Sequence, residues 1–346
     1  MIHELFVPGR LCLFGEHSDW AGGYRRTHPE IAPGECLVAG TNQGLRARVA
    51  AAEHVEFLSR LPDGTSRRSR PMSLSTQGLD RLARAGDFFS YAAGVATEML
   101  QRFATRGVRI EIVENDLPLA KGLSSSAAIC VLVARAFDVI YDLGLSVREH
   151  MELAYLGERR TGSQCGLMDQ VCAYGRVTTS LTFDAERFEV TPVAVGEPIH
   201  LLVVDLVRAK NTRRILADLN ACFPATAGAV AAGVREALGS RNLVITGAAR
   251  AALARGDARA LGALMDEAQA VFDRWVAPAC VELRAPRLHQ VLAHPVVREL
   301  GFGGKGVGSQ GDGCAQLVTR GPGERERLAA VLERTFGVAC LPLTVA

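Results

Sequence analysis

The stretch Pro118-Leu-Ala-Lys121-Gly122-Leu123-Ser124-Ser125-Ser126-Ala127-Ala128 runs from a flexible glycine through three hydroxyls into an apolar segment that ends at Leu143. Ala128, Val131, Leu132, Ala136 and Val139 fall on one helical stripe, so the serines occupy the cap and first turn of a helix. A helix N-terminus carries backbone N–H groups without intrahelical partners, and the arrangement favours bound phosphate. A structural serine cap needs one hydroxyl. Three in succession behind a glycine exceed that need.

Working outward, the 346 residues, 48% hydrophobic and 22% charged, suffice to bury the cores of two domains. The net charge of +2, with no basic tract and no aromatic–basic interleaving, argues against a nucleic-acid partner. The densest basic segment, Arg60 to Arg70, lies beside Pro62-Asp63-Gly64 and reads as a solvated hairpin or loop. Nine cysteines without CxxC spacing, several in apolar segments, read as buried reduced thiols in place of disulfides or a zinc site. No stretch approaches the ~18 uninterrupted apolar residues of a membrane span. The N-terminus has no secretory signature, so no membrane partner and a cytoplasmic location are expected. The oligomeric state stays open.

Periodicity predicts strands at Leu11–Phe14, Leu45–Ala50, Val108–Val113, Leu181–Phe183 and Phe188–Val190, and helices at Phe88–Phe103, from Ala127, and at Val147–Glu158. Composition turns loop-like at Val193–Pro198, ahead of an apolar strand at Ile199–Leu206, which sets an expected boundary between domains 1–195 and 196–346. Beyond it come alanine-rich helices at Thr212–Cys222, Ala225–Leu238, Ala248–Ala254, Ala258–Trp275 and Arg287–Ala293. A glycine-rich strand segment at Gly303–Val318, a helix at Glu324–Phe336 and a strand at Val338–Val345 close the chain. The expected class is α+β in two lobes.

Three more segments carry polar groups that a packed core does not require. Near the N-terminus, Gly9-Arg10 is followed by Gly15-Glu16-His17-Ser18-Asp19-Trp20. Glu16, His17 and Asp19 suit hydrogen bonding to several hydroxyls better than metal ligation, since carboxylates accept from vicinal OH groups and imidazole adds a donor. An Asx turn would account for Asp19 alone. At Glu158–Gln170 a carboxylate ends a helix, and Asp169 follows a Gly/Ser loop among apolar neighbours. Desolvation there would suit Asp169 to act as a general base, while a helix-capping role is equally compatible. Finally, Gly306–Gly311 spells G-x-G-x-x-G, yet a strand-like Cys314–Val318 follows, which excludes a dinucleotide fingerprint. A glycine hairpin that lets backbone approach closely is the better reading. No G-K-[ST] follows a glycine run, and no Gly-x-Ser-x-Gly elbow is present.

In this order, the four segments resemble the GHMP kinase superfamily, and within it the galactokinase-like sugar kinase branch, whose motifs are close to Gly15–Trp20 and Cys165-Gly-Leu-Met-Asp169-Gln170. The resemblance implies a ribosomal-protein-S5-like N-terminal domain, a ferredoxin-like C-terminal domain and ATP with Mg²⁺ as cofactors. It implies that Lys121, Gly122, Leu123, Ser124, Ser125, Ser126 and Ala127 hold the nucleotide phosphates, with Ser126 (or Ser125) and Glu158 at the metal. Asp169 would take the acceptor's proton and Arg10 would hold Asp169 ionised and offset charge on the phosphoryl group. Glu16, His17 and Asp19, with Gly308 and Asp312, would face the substrate. The implied activity is phosphoryl transfer to a hydroxyl, anomeric in galactokinases, of a sugar or sugar-like small molecule. Rival readings are a kinase for a non-sugar or acidic hydroxyl compound and a catalytically silent ligand-sensing homologue. Four features depart from the galactokinase pattern: Lys121 replaces a glycine, Trp20 a tyrosine and Asp312 a glycine, and the Glu158–Asp169 interval is one residue shorter. Tyr24-Arg25-Arg26 adds a cationic stretch that would suit an anionic substrate if it faced the pocket, and Lys210–Arg214 is a second candidate patch of that kind.

Overall fold

The computed structural model describes residues 1–60, 64–117, 123–208 and 210–346. Its strands are β1 (Ile2–Phe14), β2 (Gly34–Ala52), β3 (Glu56–Arg60), β4 (Ser66–Arg68), β5 (Gly107–Asn115), β6 (Thr178–Asp184), β7 (Arg187–Pro192), β8 (Ile199–Asp205), β9 (Gly301–Gly306), β10 (Cys314–Thr319) and β11 (Ala339–Val345). The helices are α1 (Ser18–Ala21), α2 (Thr76–Arg84), α3 (Ser90–Arg102), α4 (Ser125–Tyr141), α5 (Val147–Arg160), α6 (Thr212–Asn220), α7 (Ala229–Glu236), α8 (Asn242–Ala254), α9 (Ala258–Trp275), α10 (Pro286–Leu292), α11 (Pro295–Leu300) and α12 (Pro322–Phe336). The chain divides into two compact units that interleave along the sequence: Met1–Arg10 with Gly40–Arg176, and Leu11–Ala39 with Val177–Ala346.

In the first unit, β5 alternates as its sequence demands: Val108, Ile110 and Ile112 are buried, while Arg109 lies exposed between them. β5 pairs antiparallel with the second half of β2 and parallel with β3, and β3 pairs with β4, so the basic segment does form a hairpin edge. Helices α2 to α5 pack among themselves. α5 starts at a capping box in which Ser146 Oγ accepts from Glu149 N and Glu149 Oε2 accepts from Ser146 N. Its far end crosses α3 at very short range. A Cβ on Gly94 would lie 2.2 Å from the Gly157 carbonyl, and one on Gly157 would lie 2.4 Å from a Val95 methyl. That contact buries Glu158, the next residue, at 2% exposure.

The second unit is built on an antiparallel sheet in the order β11-β8-β10-β9, with Leu201–Val204 of β8 buried throughout. Leu202, Val204, Leu317, Leu328 and Leu332 form its core with α12, and α9 lies against β9. A second cluster gathers Ile215, Leu219, Phe223, Val234 and Phe272, with Trp20 and Tyr24 packed on it. The first half of β2 pairs with β6, and β6 with β7.

β1 and β2 are far longer than their periodicity suggests. Gly40-Thr-Asn-Gln-Gly44 reads locally as a turn, but β2 continues through it because β6 pairs with Gly34–Ala39 and β5 with Leu45–Ala52. The glycine-rich segment is the antiparallel pair of β9 and β10 joined by a loop, as the hairpin reading expects, and α2 carried no sequence signal strong enough to be expected. No helix among the described residues is long and apolar enough to cross a membrane.

Candidate active site

Each unit assembles its own group of the expected residues. In the first unit, Asp169 sits in the 3-10 segment Leu167–Tyr174. Its Oδ1 accepts from the Arg10 guanidinium in a short charged contact and from Ser124 Oγ at 3.1 Å. The Arg10 backbone is tied to the serine loop as well, donating to the Leu123 carbonyl at 3.2 Å. Ser124 precedes α4 with φ 54° and ψ 50°, left-handed geometry that is sparsely populated by a non-glycine residue. Its hydroxyl therefore faces Asp169, and no side chain caps α4 among the described residues. The serine that a helix would ordinarily use as its cap is diverted, which leaves the first-turn N–H groups for an anion.

Glu158 lies at the other end of the group. Gln170 Nε2 donates to its Oε2 at 2.7 Å, Ser163 Oγ to its Oε1 at 3.4 Å, and Ser126 adds a third side-chain hydrogen bond. Burial, and next the charge of Asp169, raise its pKa from 4.5 to about 7, although the three donors pull the other way. Burial, with Glu158 and Asp169 behind it, pushes the Cys165 thiol up to about 12, so Cys165 is no nucleophile. Ser126, Glu158 and Asp169 form an all-oxygen donor set suited to a hard divalent cation, whose charge would relieve the crowding that keeps Glu158 near neutrality. Lys121 and Gly122 lie outside the described residues. Gln170 closes the Cys165–Gln170 motif but was given no role there, and the only signal for Ser163 was its place in the Gly/Ser loop.

In the second unit, β1 delivers Glu16 and His17 to a turn ahead of α1. His17 is 5% exposed with φ 71°, stacked on Phe272 at 6.3 Å. Trp20 Nε1 donates to His17 Nδ1 at 3.1 Å; indole can only donate, so the imidazole proton sits on Nε2. Burial, then the charges of Lys210 and Lys305, take the His17 pKa down to about 4 against the favourable Ser309 backbone, and the ring is neutral at physiological pH. Trp20 packs on Phe223 at 5.3 Å, and Tyr24 stacks on the same ring at 5.2 Å. Glu16 forms a buried ion pair with Lys305, a residue that sequence reasoning passed over. Asp19 Oδ1 accepts from Trp20 N at 3.0 Å. Gly308, at φ 65°, faces open space, whereas Asp312 Oδ1 accepts from Leu288 N at 2.9 Å and so caps α10.

Arg25 is bound to Asp184 at 2.5 Å and to the Pro29 and Ile31 carbonyls, and Arg26 reaches an exposed Glu186 at 3.5 Å. They brace a loop. Of the Lys210–Arg214 patch, Asn211 caps α6 and Arg214 pairs with Asp218 one turn on.

Residues 90–176 match the family model of the GHMP kinases N terminal domain. That segment of the chain is thus similar to a GHMP kinase N-terminal domain. It lies within the first unit and includes Ser124, Glu158 and Asp169. A galactokinase of Roseiflexus sp. (strain RS-1) is 30% identical over 204 residues, 58% of this chain and 47% of the relative. The chain thus spans about half the length of the curated galactokinases it matches. The GHMP kinase fold itself is shared with Lactococcus lactis galactokinase solved with galactose, at TM-score 0.72 and 18% identity over 99% of this chain and 92% of that one. It is equally shared with Methanococcus jannaschii mevalonate kinase, at TM-score 0.71 and 17% identity over 100% and 98%.

Proposed function

We propose that this chain is an ATP- and Mg²⁺-dependent cytoplasmic kinase that phosphorylates a hydroxyl, the anomeric one foremost, of a sugar or sugar-like small molecule. The observation that carries the reading is the convergence of Arg10 and the cap hydroxyl Ser124 on one oxygen of Asp169, beside the uncapped N-terminus of α4. Phosphoryl transfer needs positioning and charge neutralisation more than covalent chemistry, and this group offers both. Bound Mg²⁺ would neutralise phosphate charge, held by Ser126 and Glu158. The first-turn N–H groups of α4 hold phosphate oxygens. Asp169 accepts the proton of the acceptor hydroxyl, Arg10 offsets charge on the transferred group, and Ser124 orients the carboxylate. Glu16, His17 and Asp19 hold the remaining hydroxyls of the acceptor.

An ADP-release screen over sugars, sugar acids and polyols with MgATP tests the reading. Turnover with a hydroxyl compound supports it; tight binding of one without turnover of any supports the sensor instead. Asp169→Asn is expected to lower kcat by about 10²–10⁴-fold, the contribution of a general base, with the dissociation constant for ATP nearly unchanged. Activity within about tenfold of the unmodified protein would remove Asp169 from the base role.

A further inference from the structure

The chain has 39 lysines and arginines, and only three are lysines: Lys121, Lys210 and Lys305. Exposed ion pairs use arginine, as in Arg46–Glu114, Arg148–Glu152 and Arg327–Glu324. A chain so biased carries arginine wherever either cation serves. Its few lysines therefore mark places where a compact ammonium fits and a planar guanidinium does not. The two described lysines lie in the same unit and converge on the same turn.

Lys305 is 1% exposed, on β9, and its Nζ donates to Glu16 Oε1 and to the Gly306 carbonyl at 3.0 Å. The Phe14 ring, 6.0 Å away, covers it. Glu16 is itself 7% exposed, and Oε2 makes no hydrogen bond among the described residues, so it is the oxygen open to a ligand hydroxyl. Lys210 donates to the Gln310 carbonyl at 2.9 Å, and Gln310 is a buried residue held at φ 62°. Its stem fills the space above Gly313, where a Cβ would come within 2.8 Å of both Cε and Nζ. The glycine of that segment makes room for a lysine. Both ammoniums also face His17 and disfavour its protonation.

We propose that Lys305 and Lys210 are ammonium-specific positioning residues for acceptor binding: Lys305 fixes the Glu16 carboxylate, and Lys210 fixes the loop at Val307–Gly313. The inference rests on the reading of Glu16 and His17 as the acceptor-binding turn. It makes Lys305 act through Glu16 and makes neither lysine a contact for ATP.

Steady-state kinetics of Lys305→Arg and Lys210→Arg, with the acceptor found in the screen, test it. The expected result is a rise of about tenfold or more in KM for the acceptor, with KM for ATP and kcat within about twofold, the pattern of lost ground-state binding. Loss of folded protein alone would lower kcat and leave both KM values in place. Should Lys305→Arg fail to fold, Glu16→Gln and Glu16→Gln/Lys305→Met decide the same question without a larger side chain. If Lys305 acts through Glu16, the two share one acceptor KM within about twofold. An acceptor KM unchanged in both arginine variants, or a further tenfold rise on adding Lys305→Met to Glu16→Gln, overturns the proposal while turnover by the unmodified protein keeps the kinase reading. Absence of turnover by the unmodified protein with every acceptor overturns both.

Discussion

At the scale of single residues, Glu158 and His17 carry opposite protonation consequences. A carboxylate raised from 4.5 to about 7 keeps its proton in the fold after the unfolded chain has lost it. Native protein then binds more protons than unfolded protein between those values. Its stability is complete below about pH 4.5 and falls as pH rises to about 7, by about 3 kcal/mol. Glu158→Gln removes that dependence, so in metal-free buffer its melting temperature should gain on the unmodified protein from pH 5 to pH 8. A difference that stays constant or shrinks would mean that Glu158 is not raised. For His17, the Trp20 indole fixes which nitrogen is protonated. Trp20→Phe keeps the ring packing on Phe223 but loses the donor. Ring ¹⁵N shifts should show an Nε2–H imidazole persisting to about pH 4 in the unmodified protein, and a mixture of tautomers in the variant. The Trp at this position was legible as a departure from the family pattern. Its use as a donor was not, because it depends on where His17 lies after the turn.

At the scale of elements, most helices could be read from periodicity: Ala258–Trp275 begins and ends where it was expected, and α3, α4, α5 and α12 differ by at most a few residues. The strands were harder. β1 and β2 owe their length to partners distant in sequence, and a glycine pair inside β2 imitates a turn. The α3–α5 crossing is likewise invisible until Gly94 and Gly157 are face to face. Two substitutions of the same kind should therefore have opposite signs. Gly94→Ala places a methyl 2.2 Å from the Gly157 carbonyl and should destabilise by about 1–3 kcal/mol, the cost of overpacking. Gly78→Ala, on α2 with its nearest neighbour at 3.6 Å, should stabilise by about 0.5–1 kcal/mol through helix propensity. Urea denaturation of the two variants checks both, and equal effects would refute the close-crossing explanation for the buried Glu158.

At the scale of the whole molecule, the nine cysteines are thiols outside any disulfide among the described residues, seven of them buried, with Cys165 and Cys340 partly covered and both pushed up to about 12. A thiol reagent at pH 8 should thus react slowly with native protein and rapidly with nine groups after denaturation; fast labelling of several native thiols would contradict the packing. The residue types gathered around Asp169 were legible because the proposed chemistry restricts them: phosphate binding would call for serines and backbone N–H groups at a helix start, and a general base for a carboxylate. The glycines of the last motif were legible as close approach, but not Lys210 as what approaches. The sequence by itself determined the order of most elements, the motif-bearing loops and the set of side chains on which the kinase proposal rests, since periodicity and side-chain chemistry are local properties. Tertiary structure alone decided that Ser124 turns from its helix to Asp169, that Glu158 is crowded into near-neutral acidity, and that Lys305 closes on Glu16. Those are distances between residues 45, 11 and 289 positions apart, and burial between such partners is what sets hydrogen-bond geometry and pKa.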